Sequence, residues 1–226
     1  MKRRGLLAAL AASTSVAVAG CTGDGQSFDL EAEPAEVPES AYAEGYSGQE
    51  PQSFSIDREF DVAGVNVEVS ATTWFARYTN ESAGSVLFVA STPNETVAGQ
   101  SVNPLLRLDN VDLIRELLNQ VDQQGIGGNG ADIQTDDIER RGEETQTILG
   151  EEDATVSVLE TTVNAELTGS NGDSTSVEDV PALLFVETVE HDGDVVLLVG
   201  AHPTEIGPAE IDQSEQLLSM MGAVEH

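Results

Sequence analysis

The feature that most constrains this chain is a recurring two-residue alternation of apolar and polar side chains, which dictates a sheet. Val65, Val67 and Val69 alternate with Asn66, Glu68 and Ser70, and the run continues to Tyr78. Successive side chains of a strand point to opposite faces, so this pattern gives one apolar and one polar face. Ser53 to Asp61 reads as a strand before it, turning at Ala63-Gly64, and Ser85 to Ser91 (SVLFVAS) as a wholly apolar strand after it. Thr145 to Leu149, Thr155 to Thr168, Val180 to Val189 and Asp194 to Ala201 read as four more. The last two are joined through His191-Asp192-Gly193, a hairpin signal.

The period changes in two places. Past a loop holding Pro93, Gly99 and Pro104, Asp109 is a good N-cap for a helix whose stripe is Val111, Ile114, Leu117, Leu118 and Val121, stopping at Gly125. Pro208 opens a second, with Ile211, Ser214, Leu217, Leu218, Met221 and Val224 on one side. These elements predict an α+β fold: a mainly antiparallel sheet of about seven strands with two amphipathic helices packed on it.

The N-terminal region follows other rules. Its first twenty residues hold no acid; Lys2, Arg3 and Arg4 precede an apolar, small-residue run from Gly5 to Gly20. This is the n-region and h-region of a secretory signal, and its 16 residues fall short of the roughly 20 that span a bilayer. It ends in Val18-Ala19-Gly20-Cys21, which resembles a lipobox, and Cys21 is the only cysteine in the chain. Arg3-Arg4 before Gly5-Leu6-Leu7 resembles a twin-arginine export signal. The reading is a signal peptide over 1–20, a lipid-anchored acidic tether over 21–52 containing Pro34, Pro38, Pro51, Tyr42 and Tyr46, and a single α+β globular domain over 53–226. The place is the outer face of the cell membrane, reached through lipid on Cys21.

Charge fixes the solvent. From Cys21 onward there are six arginines and no lysine against 41 carboxylates, and the whole chain carries a formal −32. Such self-repulsion strains a compact state in dilute buffer, whereas in molar salt the Debye length falls to about 3 Å. Salting-out salts also strengthen burial, which suits a core of Ala, Val and Leu. The acids run from Asp24 to Glu225 rather than forming a tail, so the pattern reads as that of an extreme halophile. It weighs against a nucleic-acid partner, which needs clustered Lys and Arg.

Several spaced landmarks, Ser91-Thr92-Pro93, Gly99-Gln100, Asn103-Pro104, Leu149-Gly150, His191-Asp192-Gly193-Asp194 and His202-Pro203, resemble an uncharacterised family of haloarchaeal lipoproteins known as a domain of unknown function. The resemblance covers most of the chain after residue 53 and implies no reaction. The element order is also similar to that of the photosystem II PsbP protein and of mycobacterial LpqN-type lipoproteins, an analogy of fold alone.

A search for chemistry finds little. No G-x-S-x-G elbow, H-E-x-x-H, paired cysteines or D-x-D-x-D-G loop occurs, and Gly125 to Gly130 lacks the G-K-[ST] of a P-loop. No cofactor and no metal is implied. His202, between a strand and a helix and near Glu205, is the one histidine placed as a base or ligand would be; His191 lies in a hairpin and His226 follows the last helix. The acids Asp132, Asp136, Asp137, Glu139, Glu143 and Glu144 read as a solvated stretch, and Arg140-Arg141 as paired with neighbouring acids. Trp74, Phe75 and Tyr78 on the second strand are candidates to line a pocket, but alternation in a regular strand sends Trp74 and Phe75 to opposite faces, so at least one of those two is expected in the core. Asn80-Glu81-Ser82 and Asn94-Glu95-Thr96 are N-x-[ST] glycosylation acceptors. The leading expectation is a non-catalytic surface lipoprotein binding a solute or an envelope protein. The alternative is a hydrolase or metal-dependent enzyme assembled around His202, Glu205 and the acids of Asp132 to Glu144.

Overall fold

A computed structural model describes residues 25–62, 65–97, 100–101, 132–133, 138–168, 174–205 and 213–226. Its body is two antiparallel meanders joined side by side. The first runs through β3 (Gln52–Val62), β4 (Val65–Asn80) and β5 (Ser85–Pro93). The second runs through β9 (Glu139–Ile148), β10 (Glu151–Thr168), β11 (Ser174–His191) and β12 (Asp194–Pro203). Pairing of β5 with β12 closes the seam, so the spatial order is β3-β4-β5-β12-β11-β10-β9, antiparallel at every step. β1 (Gly25–Glu31) adds to β4 in parallel, and the two-residue strands β2 (Ser47–Gly48) and β8 (Asp132–Ile133) complete a ten-stranded mixed sheet. Thr96–Val97 and Gln100–Ser101, β6 and β7, form a separate small pair.

Two turns set the register of the second meander. Leu149-Gly150 and Asp192-Gly193 all have positive φ, as a two-residue type I′ turn needs, and its twist matches that of the strands it joins.

The predicted α+β class is overturned, because the fold is mostly β. Among the described residues one α-helix occurs, α1 (Gln213–Gly222). The strands are longer than the runs that announce them: β10 and β11 have 18 residues each, because polar residues such as Glu151, Ser174 and Thr175 continue the ladder beyond those runs. The expected helix from Asp109 to Gly125 lies outside the described residues, as do Pro208 and Ile211. The PsbP-like analogy rested on two helices and falls with the class.

Residues 25–52 also depart from the expected tether. β1 is part of the sheet, and Ala32, Ala35, Val37 and Tyr46 are buried. These small apolar residues are spaced through an acidic segment, so its composition hides them. Tyr42 meets Tyr78 edge-on at 5.4 Å, and the Tyr78 hydroxyl accepts the Val37 N–H at 2.7 Å. Burial pushes the Tyr78 phenol up to about 12, so it stays protonated.

The two sheet faces have separate cores. On one, Leu217, Met220 and Met221 of α1 and Val224 cover Leu87, Val89, Val196, Leu198, Phe185, Ile148 and Val156. On the other lie Phe75, Ala90, Leu184, Val186, Leu197 and Val199. β12 runs between both cores and all ten of its residues are buried.

The segment after β1, residues 32–51, forms an arm that packs tightly enough to be tested. A Cβ on Gly48 would sit 2.1 Å from Tyr42 Oη and 2.7 Å from Tyr78 Cδ1. Gly48→Ala should therefore cost about 1–3 kcal/mol, as overpacking does. Gly142→Ala, with nothing within 4 Å, is the control. Matched melts in high salt that leave both variants at the wild-type temperature would show the arm to be loosely held.

Candidate functional site

The densest meeting of reactive side chains forms where the β11–β12 turn folds back. That turn sets His191 opposite Asp194. Asp194 is 8% exposed, and its Oδ2 accepts the Glu33 backbone N–H at 2.8 Å. The same oxygen lies 3.2 Å from His226 Nε2. Ser91 of β5, 0% exposed, brings its Oγ to 3.1 Å from that same nitrogen. The other nitrogen, His226 Nδ1, is 3.1 Å from His191 Nδ1, with the rings edge to face. Asp192 Oδ2 is 3.7 Å from His191 Nδ1 at the exposed rim.

Burial pushes the Asp194 carboxyl above the ordinary carboxylate range. The Glu33 backbone N–H and His226 oppose that shift, and the Glu33 carboxylate adds to it.

Serine, histidine and aspartate in contact invite comparison with a nucleophilic triad, and the geometry rejects it. A triad needs the acid on Nδ1 and the serine on Nε2, so that one nitrogen is oriented while the other takes the proton. Here Ser91 and Asp194 share Nε2. A hydrogen on Nε2 satisfies the carboxylate and removes the lone pair that Ser91 would need. The hydroxyl is also sealed from solvent. The cluster is a polar clasp: it ties the 32–37 arm, β5, the hairpin and residues 224–226 together, helped by the backbone bridge between Glu36 and Glu225.

His202 is consumed as well. It is 7% exposed and stacks on Phe185 at 5.8 Å. Nδ1 lies 3.1 Å from the Pro203 carbonyl, an acceptor only, so in the neutral ring Nδ1 carries the hydrogen and Nε2 accepts from Ser214 Oγ at 3.0 Å. The ring thereby staples β12 to α1. Glu205 is exposed.

The other sequence candidates disperse. Arg140 pairs with Glu143, and Arg141 with Glu160 at 3.0 Å; such exposed pairs contribute about 0–1 kcal/mol. Glu139, Glu143 and Glu144 are strung along β9, while Asp136 and Asp137 lie outside the described residues, as do Gly125 to Gly130 and Cys21. Among the described residues no group of three or more His, Cys, Asp or Glu is placed to hold a metal ion. Phe75 joins one core, Tyr78 the other, and half-buried Trp74 stands opposite Ser91 in register. Asn80 is 3% exposed: its Oδ1 accepts from Ser82 and the Ala83 N–H, and its Nδ2 donates to the Glu44 carbonyl. Both ends of that amide are engaged in the fold. Asn94 lies in the half-buried turn after β5.

Sequence reasoning missed the clasp because its members come from residues 33, 91, 191, 194 and 226, and no local spacing joins them. It also missed Glu187, between Phe185 and Val189 on one side of β11. Burial, with a smaller push from Glu151 and against an opposing bond from the Thr188 N–H, raises that carboxyl to about 7. Its signal was legible: a carboxylate at an inward position of a period-two run.

No helix among the described residues is long and apolar enough to cross a membrane. A family model described as Domain of unknown function (DUF6517) matches residues 34–225. No curated protein and no solved structure matches the chain.

Proposed function

The chain belongs to the family described as Domain of unknown function (DUF6517), and we propose that it serves as a lipid-anchored surface module of an extreme halophile. In this reading, of haloarchaeal type, a twin-arginine signal exports it, Cys21 carries the lipid, and the sheet domain binds a solute or an envelope protein without catalysis. The observation that carries the reading is the junction at Cys21. An acid-free, apolar leader ends in Val18-Ala19-Gly20-Cys21, and the described fold starts four residues later at Gly25. The thiol is the chain's only one, so no disulfide competes for it.

The non-catalytic part is supported by the clasp and by His202, whose reactive atoms hold structure together. The enzyme reading around His202, Glu205 and the acids of Asp132 to Glu144 gains no observation from this arrangement. Cys21→Ser tests the anchor. The variant should appear in the medium or remain unprocessed, while the wild type fractionates with membranes. A Cys21→Ser protein as membrane-bound and as fully processed as the wild type would sink the reading.

A further inference from the structure

We infer that β1, β3 and the lower half of β4 form a rigid stalk that holds the rest of the sheet upright over a lipid surface, with its Gly25 end against the headgroups. The inference rests on lipidation at Cys21 and deepens it.

Chain length makes the first argument. Four residue steps separate Cys21 from Gly25, which at full extension reach about 14 Å. From Gly25 onward the chain is already paired, with Gly25 to Glu31 in register beside Asn66 to Thr72. The domain therefore has no long free tether, and whichever end carries Gly25 must stay close to the lipid.

The second argument is the shape of the sheet at that end. β5 pairs with β4 only from Trp74 to Asn80, and β1 takes the same edge of β4 from Asn66 to Thr72. β3 lines the opposite edge from Val65 to Phe75. Below Trp74 the described sheet is thus three strands wide and continues for seven β1–β4 pairs, about 20 Å of strand. Phe28 and Leu30 pack there on buried Val67 and Val69, a cluster distinct from the two main cores. A three-stranded unit with its own apolar cluster does not hinge as a peptide tether does.

Charge makes the third. The opposite side of the stalk is polar and acidic, with Asp29, Glu31, Asp57, Glu59 and Glu68 exposed. Laid flat, that side would press these carboxylates against the headgroups at the cost of their hydration, which disfavours that pose even where salt screens the repulsion. The arm beyond β1 is fastened too, through the Glu33 N–H on Asp194 and the Val37 N–H on Tyr78, so the stalk and the body move as one.

The test uses the lipidated full chain bound to vesicles of phosphate-headgroup ether lipid in molar salt. Because the lipid occupies the only native thiol, Ser27→Cys and Glu81→Cys each offer one reactive cysteine for a fluorophore. Both positions are exposed. Ser27 stands beside Glu68 and Glu81 follows the far end of β4, so the two lie about 43 Å apart along the strand. A headgroup-borne quencher should quench the label at residue 27 several-fold more than the label at residue 81. Equal quenching at the two positions in membrane-bound protein, or none at 27, would overturn the stalk. Wild-type protein that fails to stay with the vesicles would overturn the lipid reading itself, a distinguishable result.

Discussion

Transfer of the protein from molar salt to dilute buffer is expected to unfold it, starting from the outer strands. The reason lies in the ladder register as well as in net charge. Glu59 stands directly opposite Glu68 where β3 joins β4. Glu139 stands opposite Glu160 where β9 joins β10, and Glu36 opposite Glu225 where the arm meets the segment after α1. Directly opposed residues have Cβ atoms about 4.5–5.5 Å apart, and like charges there are destabilising. At 1 M salt the Debye length of about 3 Å is shorter than that separation, and at 0.1 M it is about 10 Å and exceeds it. Arg141, 3.0 Å from Glu160, relieves one of the three pairs. The sheet signal in circular dichroism should fall below about 0.5 M salt, where screening begins to fail. Glu59→Gln should move the midpoint to lower salt, because it removes one opposed charge from the β3 edge. Full native signal with an unchanged melting temperature in dilute buffer would refute the halophilic reading.

What could be read from the sequence divides along range of interaction. Strands announce themselves locally: Val65, Val67 and Val69 alternate whatever their partners, and the Asp192-Gly193 turn follows from two residues that tolerate positive φ. Those elements appear where expected, although β10 and β11 run further than their apolar cores. The balance between sheet and helix was misjudged because the ladder is completed by polar residues with no hydrophobic signal. The arm is the clearest failure. Ala32, Ala35, Val37 and Tyr46 are too sparse among acids and prolines to look like core, and each is buried only because distant residues, Tyr78 and Val224 among them, come to meet it. The clasp was out of reach for the same reason, since Ser91 and His226 are 135 positions apart. His202, singled out as the histidine placed as a base or ligand would be, is buried in the structure between Phe185 and Ser214.

Truncation of Leu217 should be the most damaging single change on the helix. Its side chain is fully buried, and it lies over Gly200 of the central strand β12, where an added Cβ would come within 3.3 Å of Leu217 Cδ2. The glycine gives the leucine room to sit deep, and Met220 and Met221 close the same face one turn on. Leu218, beside it in sequence, is only half-buried, so the stripe that reaches the sheet is Gln213, Leu217, Met220 and Met221. Leu217→Ala removes buried methyl groups from a site that a rigid strand cannot collapse to fill, which typically costs about 2–5 kcal/mol. Glu215 is exposed and off that stripe, and Glu215→Ala should cost well under about 1 kcal/mol. The effect should spread beyond α1, because the helix leads through Val224 to the Glu36–Glu225 bridge and the His226 clasp. Hydrogen exchange at the Glu33, Glu36 and Val37 amides should therefore quicken in Leu217→Ala and remain slow in Glu215→Ala. Matched thermal melts in high salt decide the primary effect, and near-zero shifts in both variants would show that the helix does not close this face of the sheet.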